Sequence, residues 1–160
     1  MIEHRGNFTK NELKFIEYLD KCFLDLFFAE GSVEKTEEYI RYDVCVGSPD
    51  NRGLLTLQFC VRDNEDLAAG FSNFVHISYI YVPHKYRKRG VATRIIYLMS
   101  YVATKEIGID LYATCLTNDL WKERLISAGS VADDDGDIQI FYEPFLNHFQ
   151  DKLKYPNYLK

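Results

Sequence analysis

A chain of 160 residues with 47% apolar and 27% charged content has the profile of one soluble domain, long enough to bury a core without disulfides or metals. A net charge of −5 argues against a generic nucleic-acid binder or a protein that clings to anionic lipid. No apolar stretch approaches the roughly 20 residues that span a bilayer, and MIEHRGNFTK has no apolar core of a signal peptide, so a cytoplasmic protein is expected. Cys22, Cys45, Cys60 and Cys115 show neither CxxC nor Cys/His zinc spacing; reduced thiols and no metal site are expected.

In chain order, Thr9 and Glu12 form a capping box ahead of a helix over about 10–30. Its apolar residues Phe15, Ile16, Leu19, Phe23, Leu26 and Phe27 recur at spacings of three and four, and Gly31 closes it. MIEHRGNF, ahead of it, offers little room for a strand. YIRYDVCVG and LLTLQFCVRD, split by SPDNRG, predict an antiparallel hairpin. FSNFVHISYIYV predicts a third strand, apolar enough to be covered on both faces. A helix follows over about 91–106, with Val91, Ile95, Leu98, Met99 and Val102 as its stripe and Gly108 at its end. Then come a strand (IDLYATCL), a helix ending at Gly129, a turn at Asp135-Gly136, and a strand DIQIFYEPF. The tail, about 144–160, has room for a short helix. The fold class is mixed α/β, a single domain built on one sheet.

YRKRGVAT (86–93) stands between the third strand and the long helix. The first turn of a helix exposes unpaired N–H groups and the positive end of its dipole, and small residues at Gly90 and Ala92 let a phosphate oxygen approach the backbone. Arg87, Lys88 and Arg89 add charge. A solvated basic turn, with Gly90 as punctuation, is the competing reading.

The pattern Arg87-x-x-Gly90-x-Ala92 after a strand resembles the coenzyme A loop, Q/R-x-x-G-x-G/A, of the GCN5-related N-acetyltransferases (GNAT superfamily). Asn118 and Gly129 stand eleven apart around the next helix, as family members commonly have them. The resemblance covers about 36–143. It implies a central, mostly antiparallel sheet with flanking helices, whose fourth and fifth family strands splay apart to admit acetyl-CoA. Backbone groups of Ile80, Tyr81 and Val82 would then line the pantetheine, and Arg87, Lys88, Arg89, Gly90, Val91, Ala92 and Thr93 would hold the pyrophosphate. Asn118 and Trp121 would border the cofactor, although Asn118 is also a good helix cap and Trp121 a good core residue.

The family's usual acid, a Tyr seven residues after the Asn, is replaced here by Leu125, and the Glu base of one branch by Ala113. Counting back six residues from Val82, where another branch has a Glu base, gives His76. Plain strand alternation puts His76, Ser78 and Ile80 on one face, and imidazole is a competent base near neutrality. A satisfied sheet histidine is the alternative. Tyr79, Tyr112 and Tyr142 are candidate acids among which the sequence does not choose, and Cys115 is a weak candidate nucleophile. Asp133, Asp134, Asp135 and Asp137 border the expected acceptor cleft, where carboxylates would attract a cationic amine; a solvated hairpin tip is the competing reading. The expected activity is acetyl transfer from acetyl-CoA to a primary amine of a small molecule or protein, by direct attack in a ternary complex. The alternative is a catalytically inactive module that binds coenzyme A or a partner protein. The aromatic tail covers the sheet edge, completes the acceptor pocket or mediates a homodimer; the sequence leaves these open.

Overall fold

The computed structural model describes residues 2–27, 30–46, 52–62, 73–88, 90–114, 119–134 and 136–153. In chain order they form β1 (Ile2–Arg5), α1 (Lys10–Phe27), β2 (Glu30–Lys35), β3 (Ile40–Val46), β4 (Gly53–Arg62), β5 (Phe74–Tyr81) and α2 (Val91–Tyr101). A π-helical turn (Val102–Ile107) extends α2, and β6 (Asp110–Ala113), α3 (Asp119–Ser127), β7 (Val131–Ala132), β8 (Ile138–Ile140) and α4 (Tyr142–Leu153) follow. The strands make one eight-stranded sheet in the order β1-β2-β3-β4-β5-β6-β8-β7. β1 with β2 and β5 with β6 are parallel, and the other pairs are antiparallel. This mixed α+β arrangement is the one that the resemblance implies.

The capping box forms as expected: the Thr9 amide donates to Glu12 Oε1 (2.7 Å) and the Glu12 amide to Thr9 Oγ1 (3.2 Å). The β3–β4 hairpin runs in register from Ile40↔Phe59 to Val46↔Gly53. One face of the sheet carries the core. Val33, Tyr42, Val44, Leu55, Leu57, Phe59, Val75, Ile77, Leu111, Ala113, Ile138 and Ile140 are all buried on it. α1 lies across that face, with Phe15 against Phe59 and Phe23 against Tyr42. Each such ring, fully removed from water, contributes roughly 1.5–3 kcal/mol. α2 sits beside α1 through Tyr18 and Tyr101, and α4 joins α2 through Tyr97 and Tyr142.

Four expectations need correction. MIEHRGNF does hold a strand, β1, which pairs in parallel with β2. The first helix, expected over about 10–30 with Gly31 as its close, spans Lys10–Phe27, and Glu30–Lys35 is a strand, β2. The last strand stops at Ile140. Tyr142–Leu153 is helical from the outset, with Pro144 in the first turn, where a missing N–H costs nothing. β5 is covered on one face only: on the other, Tyr79 is 47% and Tyr81 41% exposed.

Candidate functional site

β5 and β6 part company at one point. Their parallel register runs from Phe74↔Asp110 to Ile77↔Ala113, and the Thr114 amide then donates to the Ile77 carbonyl (3.0 Å). β5 continues through Ser78–Tyr81 with no described partner on that side, which leaves about 13 Å of strand edge at 3.3 Å per residue.

On its other side β5 carries a bulge. Gln58 pairs with Tyr79 and Phe59 with Ile77, so Ser78 is an extra residue, and its Oγ donates to the Gln58 carbonyl (3.3 Å). The bulge resets the alternation. His76 pairs with Cys60, Tyr79 with Gln58 and Tyr81 with Thr56 on the open face, whereas Ile80 pairs with Leu57 on the covered face. The expectation that His76, Ser78 and Ile80 share a face is therefore corrected: His76 shares its face with Tyr79 and Tyr81.

After β5, Val82 and Pro83 lead into a 3-10 turn, His84–Tyr86, closed by the Tyr86 amide on the Pro83 carbonyl (2.8 Å). Tyr86 is buried and anchors the loop. Lys88 takes a left-handed backbone (φ 63°), uncommon for a residue with a side chain, and Gly90 does too (φ 79°). Left-handed residues just ahead of a helix help turn backbone N–H groups toward one concavity. Gly90 is the N-cap of α2 and supplies no side-chain cap; its carbonyl accepts the Arg94 amide (2.9 Å). The α2 dipole is thus met by no capping oxygen from that position. Val91 and Thr93 are buried, Ala92 half-buried, and Lys88 exposed. Arg87 is held back along β5: its Nε donates to the Val82 carbonyl (2.8 Å) and its guanidinium lies 5.4 Å from the centre of the Tyr81 ring. Arg89 and Asn118 lie outside the described residues, as do Cys115 and Asp135. Trp121 is half-buried against the core, with the Arg124 guanidinium 5.7 Å from its ring.

His76 stands where the two strands diverge. Its Nε2 is 2.5 Å from Thr114 Oγ1 and 3.7 Å from Asp137 Oδ1, and its neighbour across β6 is Tyr112. Burial first, then Asp110, Asp133 and Asp137, push the Tyr112 hydroxyl above its usual pKa, so it stays protonated. Tyr142, by contrast, belongs to the helical layer on the covered face, packed on Tyr97 and Tyr101, and the sheet separates it from His76. Leu125 and Ala113 are buried core residues. The acidic run and His76, read separately in the sequence, are thus brought together through Asp137. Thr114 was missed entirely, since nothing in ATCL marks a threonine that will meet a histidine 38 positions away. Among the described residues no group of three or more His, Cys, Asp or Glu is arranged to hold a metal ion, and no helix is long and apolar enough to cross a membrane.

No protein-family model matches the chain, and no curated protein matches it. Solved structures do. One is a mutant of the AtaT toxin bound to the C-terminus of the antitoxin AtaR and acetyl-CoA, at 16% identity and a TM-score of 0.49 over 71% of this chain and 74% of that one. Another is the KacTA–DNA complex, at 15% identity and a TM-score of 0.47 over 73% of this chain and 76% of that one. Likenesses this remote carry no argument, and the functional reading rests on this chain's own geometry.

Proposed function

We infer that the protein transfers an acetyl group from acetyl-CoA to a primary amine. The observation that carries this reading is a conjunction: a strand whose edge beyond Ile77 has no partner among the described residues, and which leads, through a left-handed loop, to a helix whose N-cap, Gly90, makes no side-chain cap. An extended amide-bearing chain such as pantetheine can pair with that edge, and a pyrophosphate can take the place of the missing cap. Backbone groups of Ile80, Tyr81 and Val82 would serve the first; Gly90, Val91, Ala92 and Thr93, with Arg87, Lys88 and Arg89, would serve the second. Arg87 keeps its terminal nitrogens for phosphate while its Nε stays on Val82. Asn118 and Trp121 would border the cofactor.

His76 is the candidate base. The amine nitrogen attacks the thioester carbonyl carbon, the C–N bond forms, the C–S bond breaks, and the proton released from nitrogen passes to imidazole. Tyr112, kept protonated, and Tyr79 both share the face of His76 and are the candidates to return a proton to the thiolate, whereas Tyr142 lies behind the sheet. An amine arriving as an ammonium ion would be drawn by the exposed carboxylates Asp133 and Asp134.

One observation favours a second reading, an inactive module that binds coenzyme A or a partner: the two usual acid and base positions are occupied by the buried Leu125 and Ala113. Release of free thiol from acetyl-CoA, followed over a panel of lysine peptides, polyamines and aminoglycosides, separates the two. Amine-dependent release that falls about 10²–10⁴-fold in His76→Ala supports the enzyme. Binding of acetyl-CoA without release by any acceptor supports the module.

A further inference from the structure

Asp137 ends the turn between β7 and β8, and the turn holds itself by contacts that do not need the Asp137 side chain. The Asp133 amide donates to the Asp137 carbonyl (2.8 Å), the Asp137 amide to Asp133 Oδ1 (2.9 Å) and the Gly136 amide to the Asp133 carbonyl (3.3 Å). With the backbone fixed in this way, the Asp137 side chain reaches β5. Its Oδ1 is shielded from solvent, has no hydrogen-bond donor among the described residues, and lies 3.7 Å from His76 Nε2. A shielded carboxylate oxygen without a donor is costly, so the group that it faces has to offset its charge.

The orientation bears on which nitrogen of His76 carries the proton. A lone pair on Nε2 would point into a region made negative by Asp137, whereas an N–H there presents the positive end of its dipole. Thr114 Oγ1, 2.5 Å from the same nitrogen, suits either tautomer, accepting from an N–H or donating to a bare nitrogen, so the choice falls to Asp137. We propose that Asp137 is a positioning residue that holds His76 as the Nε2–H tautomer, so that Nδ1 is the nitrogen that takes up a proton. It touches no substrate and acts through His76. The catalytic consequence rests on the acetyl-transfer reading; the tautomer does not.

Nitrogen-15 NMR of the protein labelled at histidine reads the tautomer directly, with the His76 signals assigned by their loss in His76→Gln. The wild type should show mainly the Nε2–H form at pH values where the ring is neutral. In Asp137→Ala, and in Asp137→Asn, which keeps the shape without the charge, the Nδ1–H form should rise several-fold. In acetyl transfer, Asp137→Ala should lower kcat by roughly tenfold, short of the ~10²–10⁴ that a general base contributes, with KM for acetyl-CoA unchanged. A tautomer ratio that is equal in wild type and both variants overturns the proposal, as does a wild type in the Nδ1–H form. If no amine is acetylated by the wild type, the acetyl-transfer reading fails, and the NMR comparison still decides the role of Asp137.

Discussion

The Thr114 amide donates to the Ile77 carbonyl across 3.0 Å, and this is the last described rung between β5 and β6. Strand edges that stay open are usually a hazard, because they invite pairing with another chain. Here the edge without a described partner begins two residues past His76, at Ser78, and runs to Tyr81, so in chain order it lies between the candidate base and the candidate phosphate cradle.

Hydrogen exchange should report that edge. In the free protein, those amides of Ser78–Tyr81 that face away from β4 should exchange faster than those of Phe74–Ile77, which have partners on both sides. Adding acetyl-CoA should slow them. Exchange that is unchanged with saturating acetyl-CoA would place the cofactor elsewhere.

Gly129 and Gly136 both have left-handed backbones, at φ 89° and 85°, yet they should respond differently to alanine. A Cβ at Gly129 would sit 2.7 Å from Pro144 Cβ on α4, whereas at Gly136 it meets nothing within 4 Å. Gly136→Ala should cost only the backbone penalty, about 1 kcal/mol. Gly129→Ala should cost that and the displacement of α4, on the order of 2–3 kcal/mol in urea unfolding. Equal losses would mean that the α3–α4 contact yields freely.

Glu12 is a buried carboxylate paired with Lys35 (2.7 Å) and with the Thr9 amide. Removing Lys35 leaves a buried charge with one donor. Lys35→Met should destabilise the fold by about 3 kcal/mol in denaturant melts. Acetyl-CoA affinity should not follow, because the pair lies at the start of α1 and not in the loop from Arg87 to Thr93.

Tyr142 gives a pH dependence with a definite sign. Burial, first, and the neighbouring Tyr97 raise its folded pKa to about 12 from an ordinary 10.0. The folded state therefore keeps a proton that the unfolded state gives up, and the stability this supplies, full below pH 10, is lost as pH rises toward 12. Thermal melts at pH 9 and pH 11 should show a drop in Tm that is smaller in Tyr142→Phe. An equal drop in both proteins would place the alkaline loss elsewhere.

Much of this was legible from residues whose local signal agrees with their tertiary role. The Thr9–Glu12 box, the β3–β4 hairpin and the α2 stripe of Val91, Ile95, Met99 and Val102 all formed where periodicity and capping put them. β2 was hidden because EGSVEK is polar and Gly31 resembles a helix stop. Gly31 is required instead by a close approach, since a Cβ there would lie 2.4 Å from the Asp43 carbonyl oxygen on β3. The Ser78 bulge leaves no mark in a sequence that alternates smoothly through it, so the face of Ile80 was misassigned. The meeting of His76, Thr114 and Asp137 is a product of β5–β6–β8 order, which no local pattern encodes.

The central claim is that the loop from Arg87 to Thr93 binds acetyl-CoA, and isothermal titration tests it most directly. Wild type, Gly90→Ala and Gly90→Glu would be compared, the alanine variant carrying the strain of φ 79° without a charge. The account predicts roughly micromolar binding by wild type, about −8 kcal/mol, modest weakening in Gly90→Ala, and loss of at least about a hundredfold in Gly90→Glu, which opposes the phosphates where the backbone must be approached. Wild-type protein that takes up no acetyl-CoA, or a Gly90→Glu variant that binds as wild type does, would contradict it.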